Sequence, residues 1–252
     1  MSTLSSSDPR VAPVVTGVEG LASAAVASLW GALDRILPLW FALSAFFAVH
    51  HVAVPNPASD TAVFLQVFDN ESWLLTTLVA GAAAASVALR IFLGRGKEAL
   101  KPDWSLGAFI GIVSLLGVAP AVILMGLRPP ALSASWGDML HDLARSGLGL
   151  ATGFAMVWLA LRLTLWPIGR LLGDRRVTSE QSWILMRGGV ASYAAAVLLL
   201  TAPMLVLNTL VLTLTAHASP LVRDAAGAPL SAAIVLAAAA VAAEVYRKRL
   251  RL

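Results

Sequence analysis

The sequence has no cysteine. Disulfides, thiolate catalysis and cysteine-ligated metals are therefore excluded. Charge is scarce as well: Asp, Glu, Lys and Arg make up 13% of the 252 residues, against about 25% in an ordinary soluble domain. The short phrases that announce catalysis are missing too. There is no G-x-S-x-G, no H-E-x-x-H, and no carboxylate pair set in a cleft-forming soluble domain. Gly94-Arg95-Gly96-Lys97 has a superficial look of a phosphate loop, but it lacks the G-x-x-x-x-G-K-[ST] spacing and a preceding strand. No catalytic residue is assigned, and no enzyme activity is expected.

What the chain does contain is apolar sequence. It is 58% hydrophobic, with a mean hydropathy of +0.81, the composition of a polytopic membrane protein. The first long apolar run starts near Ile36, deeper than an ordinary signal peptide, and no small-x-small site follows it, so no cleaved leader is expected.

Residues 1–16, rich in Ser, Pro and Val, are expected to be a disordered tail. From 17 to 36, Val18, Leu21, Val26, Leu29, Leu33 and Ile36 recur at near-helical spacing, which predicts an interfacial amphipathic helix. Pro38 is expected to break or kink the chain before the first span. Six apolar spans follow at about 37–54, 73–93, 106–126, 147–166, 190–213 and 229–246, each near the ~20 residues that cross a bilayer core. The second and sixth are alanine-rich, a composition that also suits a tilted or partly buried helix. The predicted fold is all-α: a polytopic membrane helix bundle of about six transmembrane helices plus interfacial amphipathic helices, forming a single membrane domain over 17–252.

Loop charges supply the orientation. With six spans, both termini share a side, and that side holds fifteen of the eighteen basic residues. The positive-inside rule makes it the cytoplasmic side. All four histidines, His50, His51, His141 and His217, fall on the other side with Asp60, Asp69, Glu71, Asp138 and Asp142. A divalent-metal site is one reading of that set. A polar rim at helix ends is preferred, because no pair has zinc-motif spacing on one helix. No metal and no cofactor are expected.

Charge within the spans is confined to their cytoplasmic ends. Arg90 and Arg162 are expected to snorkel there, and Glu244 to pair with Arg247 or Lys248 at helical spacing. Without ionisable groups near the midplane, a proton-coupled pump is disfavoured. The most interior polar group is Asn208, five residues after Pro203. It is a candidate intramembrane polar site, although an interhelical hydrogen bond beside a packing kink is the preferred reading. Small-residue pairs at four-residue spacing, Gly81/Ala85, Gly107/Gly111 and Gly149/Gly153, are expected to serve helix packing within the chain.

The stretch Arg162 to Gly189 concentrates chemistry between two spans. Arg162 and Trp166 sit at an interface, Pro167 is expected to stop the fourth span, and Gly173-Asp174-Arg175-Arg176 reads as a turn. Thr178 to Gln181 reads as a capping box opening a short interfacial helix, 179–188, on which Trp183, Met186 and Val190 share a face. Arg162, Arg175, Arg176, Arg187 and Trp183 are the candidate lipid- or anion-binding residues, with Arg175, Arg176 and Arg187 able to clamp a phosphate. Topology-setting charge is the preferred role for those three.

Three phrases of this stretch resemble a bacterial membrane family, the glycerophosphoryl diester phosphodiesterase membrane-domain type, including the YciC-like integral inner-membrane proteins. They are Arg162-Leu163-Thr164-Leu165-Trp166-Pro167, Gly173-Asp174-Arg175-Arg176, and Ser182-Trp183-Ile184-Leu185-Met186-Arg187-Gly188. The amphipathic opening over Leu21 to Leu37 and the close over Tyr246 to Arg251 are similar too. The resemblance implies a helical membrane domain. The phosphodiesterase activity of that family belongs to a separate soluble domain with no counterpart here, so no catalytic residue carries over. The functional expectation is a non-catalytic inner-membrane protein, a scaffold, assembly factor or accessory subunit, whose basic cytoplasmic surface faces anionic lipid. The alternative is a lipid or small-solute transporter or channel using the kinked fifth span. Expected partners are membrane phospholipids and other membrane proteins, with no nucleic acid.

Overall fold

The computed structural model describes residues 17–53, 71–126 and 136–250, and among the described residues there are helices and turns but no strand. The expected tail at 1–16 lies outside them. The helices are α1 (Val18–Gly31), α2 (Leu33–Ala53), α3 (Glu71–Phe92), α4 (Trp104–Gly126), α5 (Trp136–Leu163), α6 (Leu165–Leu172), α7 (Ser179–Leu185), α8 (Val190–Leu214) and α9 (Pro220–Leu250). A short 3-10 turn, Gly96–Glu98, stands between α3 and α4.

Five segments are long and apolar enough to cross a membrane: Leu33–His50, Leu75–Phe92, Ala151–Leu172, Val190–Leu214 and Ala225–Leu250. In α4 the described apolar stretch is shorter, Trp104–Gly117, although the whole helix runs for 23 residues. This is the make-up of a multi-pass helical membrane bundle.

Neither of two expected boundary prolines ends a helix. The first break falls at Ala32, whose N–H turns back to Leu29 O, and Pro38 lies inside α2. A proline one turn into a helix removes a single ladder bond and already has a helical φ, so the helix continues through it. Pro167 likewise does not stop the fourth span. The break comes at Thr164, and Pro167 lies in the first turn of α6. Its ring excludes a bond to the carbonyl four residues earlier, Leu163, which displaces the interruption upstream.

The alanine-rich α9 is the hub of the bundle. It packs on α1, α2, α3 and α8. Its 31 residues reach about 46 Å at 1.5 Å per residue, beyond a hydrocarbon core of about 30 Å. Ala232, Ala240, Val241 and Ala243 are fully buried, and such small side chains let neighbouring helices approach closely. By contrast, α8 is largely peripheral, with Leu198, Leu199, Leu205, Val206 and Leu210 exposed. Leucine costs nothing there if lipid tails cover it.

Of the small-residue pairs, Gly81 meets Val235 of α9 as expected, whereas Gly107 and Gly111 have open space beside them. Close approach occurs instead at Gly117 against Leu78, Gly169 against Val177 and Gly227 against Asn208.

Candidate functional site

The ends of α3, α6 and α9 converge with the starts of α4 and α8, together with α1 and α7, to form the basic end of the bundle. Two glycines with positive φ shape it. Gly94 (φ 82°) ends α3, and Gly173 (φ 70°) ends α6. In each case the next N–H reaches back five residues: Arg95 to Arg90 O at 2.7 Å and Asp174 to Gly169 O at 2.8 Å. These closures satisfy the last helical carbonyls and need the left-handed conformation that glycine supplies. The loop 93–103 and the turn 173–178 are thereby folded back over the bundle.

Several arginines here are engaged in holding the structure together. Arg90 does not snorkel. Its side chain is 3% exposed, and Nη2 donates to both Asp103 oxygens at 2.7 and 2.8 Å. Its Nη1 donates to Glu98 O and Lys101 O. Asp103 also caps α4 by accepting from Leu106 N at 2.9 Å. The Ser105 hydroxyl first, then the Leu106 N–H, then the Arg90 guanidinium hold the Asp103 carboxyl down at about 2. That hydroxyl lies 2.6 Å from Asp103 Oδ1 and 3.1 Å from Leu171 O. With one proton it donates to the nearer.

Arg162 is a staple between α5 and α7. Its guanidinium lies 4.7 Å from the Trp183 ring and 5.7 Å from the Trp158 ring. Nη1 donates to Trp183 O at 3.0 Å, and Ser182 Oγ donates in return to Arg162 O at 2.9 Å. Thr178 caps α7 as expected, its Oγ1 accepting from Gln181 N. The expected shared face is corrected: Met186 and Val190 are buried in the core, while Trp183 is half exposed against Arg162. The backbone turn at Gly188 (φ 75°) separates the direction of α7 from that of α8, so a single helical periodicity does not run through both.

Arg176 grips Asp174 in a two-pronged pair at 3.0 and 3.1 Å, and Tyr246 OH donates to the same carboxylate at 3.4 Å. The Arg176 side chain is the main cause holding the Asp174 carboxyl below its usual range. Glu244 pairs with Arg247 at the expected spacing, with Glu244 buried and Arg247 partly exposed. Ser28 Oγ of α1 donates to Glu244 at 2.6 Å, and Arg247 reaches Phe92 O of α3.

Arg170, Arg175 and Arg187 remain exposed and have no ion pair among the described residues. The five candidate residues thus do not form one cluster. Arg162 and Trp183 touch, Arg176 is neutralised, Arg187 stands apart between α7 and α8, and Arg175 lines a groove between α4 and α6. That groove, about 350 Å³, has Trp104, Ala108, Ile112 and Trp166 along its walls and Arg170 with Arg175 at its rim. Sequence reading missed Arg170 and Trp104. The signal was there in Trp104, Ala108 and Ile112, spaced four apart on one helix face, and in Trp166 and Arg170, also four apart. A second, more polar hollow of about 740 Å³ is bordered by Arg35, Arg95 and Lys97.

Towards the other end, Asn208 of α8 faces α9. Its Oδ1 is buried without a hydrogen-bond partner among the described residues, and a Cβ on Gly227 would come within 2.9 Å of it. The preferred interhelical hydrogen bond is therefore not made by that oxygen. Pro203 lies inside α8 and is exposed. His50 is buried beside Thr76 and edge-on to Phe46. Among the described residues, no three metal-ligating side chains come together. Asp60 and Asp69 lie outside the described residues, as do the side-chain surroundings of His51, Glu71, Asp138, His141 and Asp142.

The fold and this end of it define a multi-pass helical membrane protein with a basic, tryptophan-bearing face. Compared with known proteins, the chain matches no family model, no curated protein and no solved structure.

Proposed function

We propose that the protein is a non-catalytic integral component of the bacterial cytoplasmic membrane, with both termini in the cytoplasm. In this reading it is a scaffold, assembly factor or accessory subunit that turns its basic end toward anionic lipid headgroups. One observation carries the reading: at that end some arginines are locked into the fold, while Arg170, Arg175 and Arg187 are left exposed, the first two beside Trp104 and Trp166. Each cation near an anionic leaflet contributes about 1 kcal/mol of attraction. The likeness of the 162–189 phrases to the glycerophosphoryl diester phosphodiesterase membrane-domain family supports the same placement.

The test is gentle-detergent purification followed by mass spectrometry of bound lipids and proteins. Anionic phospholipids enriched over their bulk share, with a membrane complex co-purifying reproducibly, are the expected result. A lone chain carrying lipids in the bulk ratio would refute the proposal. A C-terminal reporter active only outside the cytoplasm would overturn the orientation.

A second reading, a lipid or small-solute transporter, is favoured by the partnerless Asn208 Oδ1 on the proline-bearing α8. Substrate flux into liposomes that Asn208→Leu leaves unaltered would remove that site.

A further inference from the structure

We infer that the groove between α4 and α6 seats one anionic phospholipid of the bilayer, its phosphate held between Arg170 and Arg175 and its first acyl methylenes along Trp104, Ala108, Ile112 and Trp166. This rests on the lipid-facing reading above and assigns it a single place.

The groove is amphiphilic in the order a lipid requires. The α4 wall is a stripe, Trp104 then Ala108 then Ile112, that runs from the basic end into the apolar body of the bundle. Across from it, α6 presents Trp166 and, one turn on, Arg170. The left-handed turn at Gly173 then reverses the chain and brings Arg175 to the same rim. Trp104 is 89% exposed, a poor arrangement in water and a favourable one at the headgroup level of a bilayer.

Charge at the rim decides the class of headgroup. Asp174 also lines the groove, but its carboxylate is held by Arg176 and Tyr246. That leaves the rim two uncompensated guanidinium groups, whose planar forks suit the oxygens of a phosphate. A zwitterionic headgroup would bring its own cation beside them. A free phosphate would have no use for the apolar wall.

The test is native mass spectrometry of the full chain in detergent with equimolar phosphatidylglycerol and phosphatidylcholine. Four forms are compared: wild type, the double variant Arg170→Gln/Arg175→Gln, the double variant Arg95→Gln/Lys97→Gln with equal charge loss elsewhere, and Ala108→Trp, which fills the groove without changing charge. The arginines are exposed, so circular dichroism should stay helical in the glutamine variants. The groove pair should lose phosphatidylglycerol preference by roughly thirtyfold, the loss of two direct guanidinium–phosphate contacts at about 1 kcal/mol each. The pair outside the groove lining should lose less than about threefold. Ala108→Trp should reduce retention of both lipids. Equal losses from the two pairs, or full retention in Ala108→Trp, would overturn the groove while leaving a general lipid-facing surface standing. Absence of any phosphatidylglycerol preference in the wild type would overturn both.

Discussion

Arg90, on the last turn of α3, donates from Nη2 to both oxygens of the Asp103 carboxylate at 2.7 and 2.8 Å, from a site where its own side chain is 3% exposed. The Asp103 side chain is 38% exposed. A buried cation therefore depends on a partner at the surface. Fully buried pairs lose about 3–5 kcal/mol when one member is removed. Solvent at Asp103 lowers that figure, and Glu98 O and Lys101 O still hold Arg90. Asp103→Asn should destabilise the bundle by about 2 kcal/mol, read as a lower thermal midpoint in detergent. An unchanged midpoint would show the pair to be idle.

The same carboxylate sets an acid limit. Its folded value of about 2 lies below the ordinary 3.8, so its contribution is complete above about pH 4 and is lost as pH falls through 2. Asp174 is depressed in the same sense. Thermal midpoints measured between pH 7 and 2 should be flat at first and then fall below about pH 4. Asp103→Asn should flatten part of that fall. A variant slope equal to wild type would assign the acid loss to other groups.

The Arg162–Trp183 stack joins the end of α5 to α7. Arg162→Lys keeps the charge but loses the planar guanidinium that lies over the ring and reaches Trp183 O. A stability loss of about 1 kcal/mol is expected, with a change in tryptophan emission. If Arg162→Lys behaves as wild type in both measurements, the stack contributes charge alone.

At the α8–α9 contact, Gly227 is the only residue type that fits as placed. An added Cβ would lie 2.9 Å from Asn208 Oδ1 and 3.2 Å from Leu212 Cδ2. Gly227→Ala should cost about 1–3 kcal/mol through overpacking. The double variant Asn208→Ala/Gly227→Ala should recover part of that loss. Additive effects in the double-mutant cycle would separate the two positions.

Two glycines at the basic end should respond differently to the same change. In Gly169→Ala the new Cβ would meet Val177 Cβ at 2.6 Å, close to the backbone of a buried residue with no room to yield. In Gly189→Ala the obstacle is the guanidinium of Arg249, the far end of a flexible side chain. A loss of about 1–3 kcal/mol is expected for Gly169→Ala and a small change for Gly189→Ala. Equal losses measured by thermal unfolding would contradict this ranking.

Helix content, the presence of several long apolar helices and the gathering of basic residues at one end were legible in the sequence because each rests on local pattern. Apolar run length sets spans, and loop charge is read residue by residue. The Glu244–Arg247 pair and the Thr178 cap were legible for the same reason, since their partners lie within one helical turn. The breaks at Ala32 and Thr164 were not, because proline marks a helix boundary only loosely: here its effect fell upstream or was absorbed.

The candidate site was only partly legible. Sequence grouped Arg162, Arg175, Arg176 and Arg187 by proximity along the chain, as if all four were available. Arg176 is taken by Asp174 only two residues away, whereas Arg162 is taken by Trp183 O of α7, twenty-one residues on, and left-handed turns at Gly173 and Gly188 set off Arg175 and Arg187 from one another. The groove needed α4 and α6 to be adjacent, and nothing in either segment alone states that.

Composition and periodicity by themselves determined that this chain is a helical bundle built for a bilayer, because backbone polar groups in hydrocarbon must be satisfied within each helix. Tertiary structure decided that alanine-rich α9 is the hub, that Arg90 is an internal tie, and that Arg170 and Arg175 share a rim with Trp104 and Trp166. Those outcomes turn on which helix faces meet. Lipid tails are as apolar as leucine, so hydrophobicity alone does not choose the faces. Close approach at small residues and pairing of polar groups across the chain do.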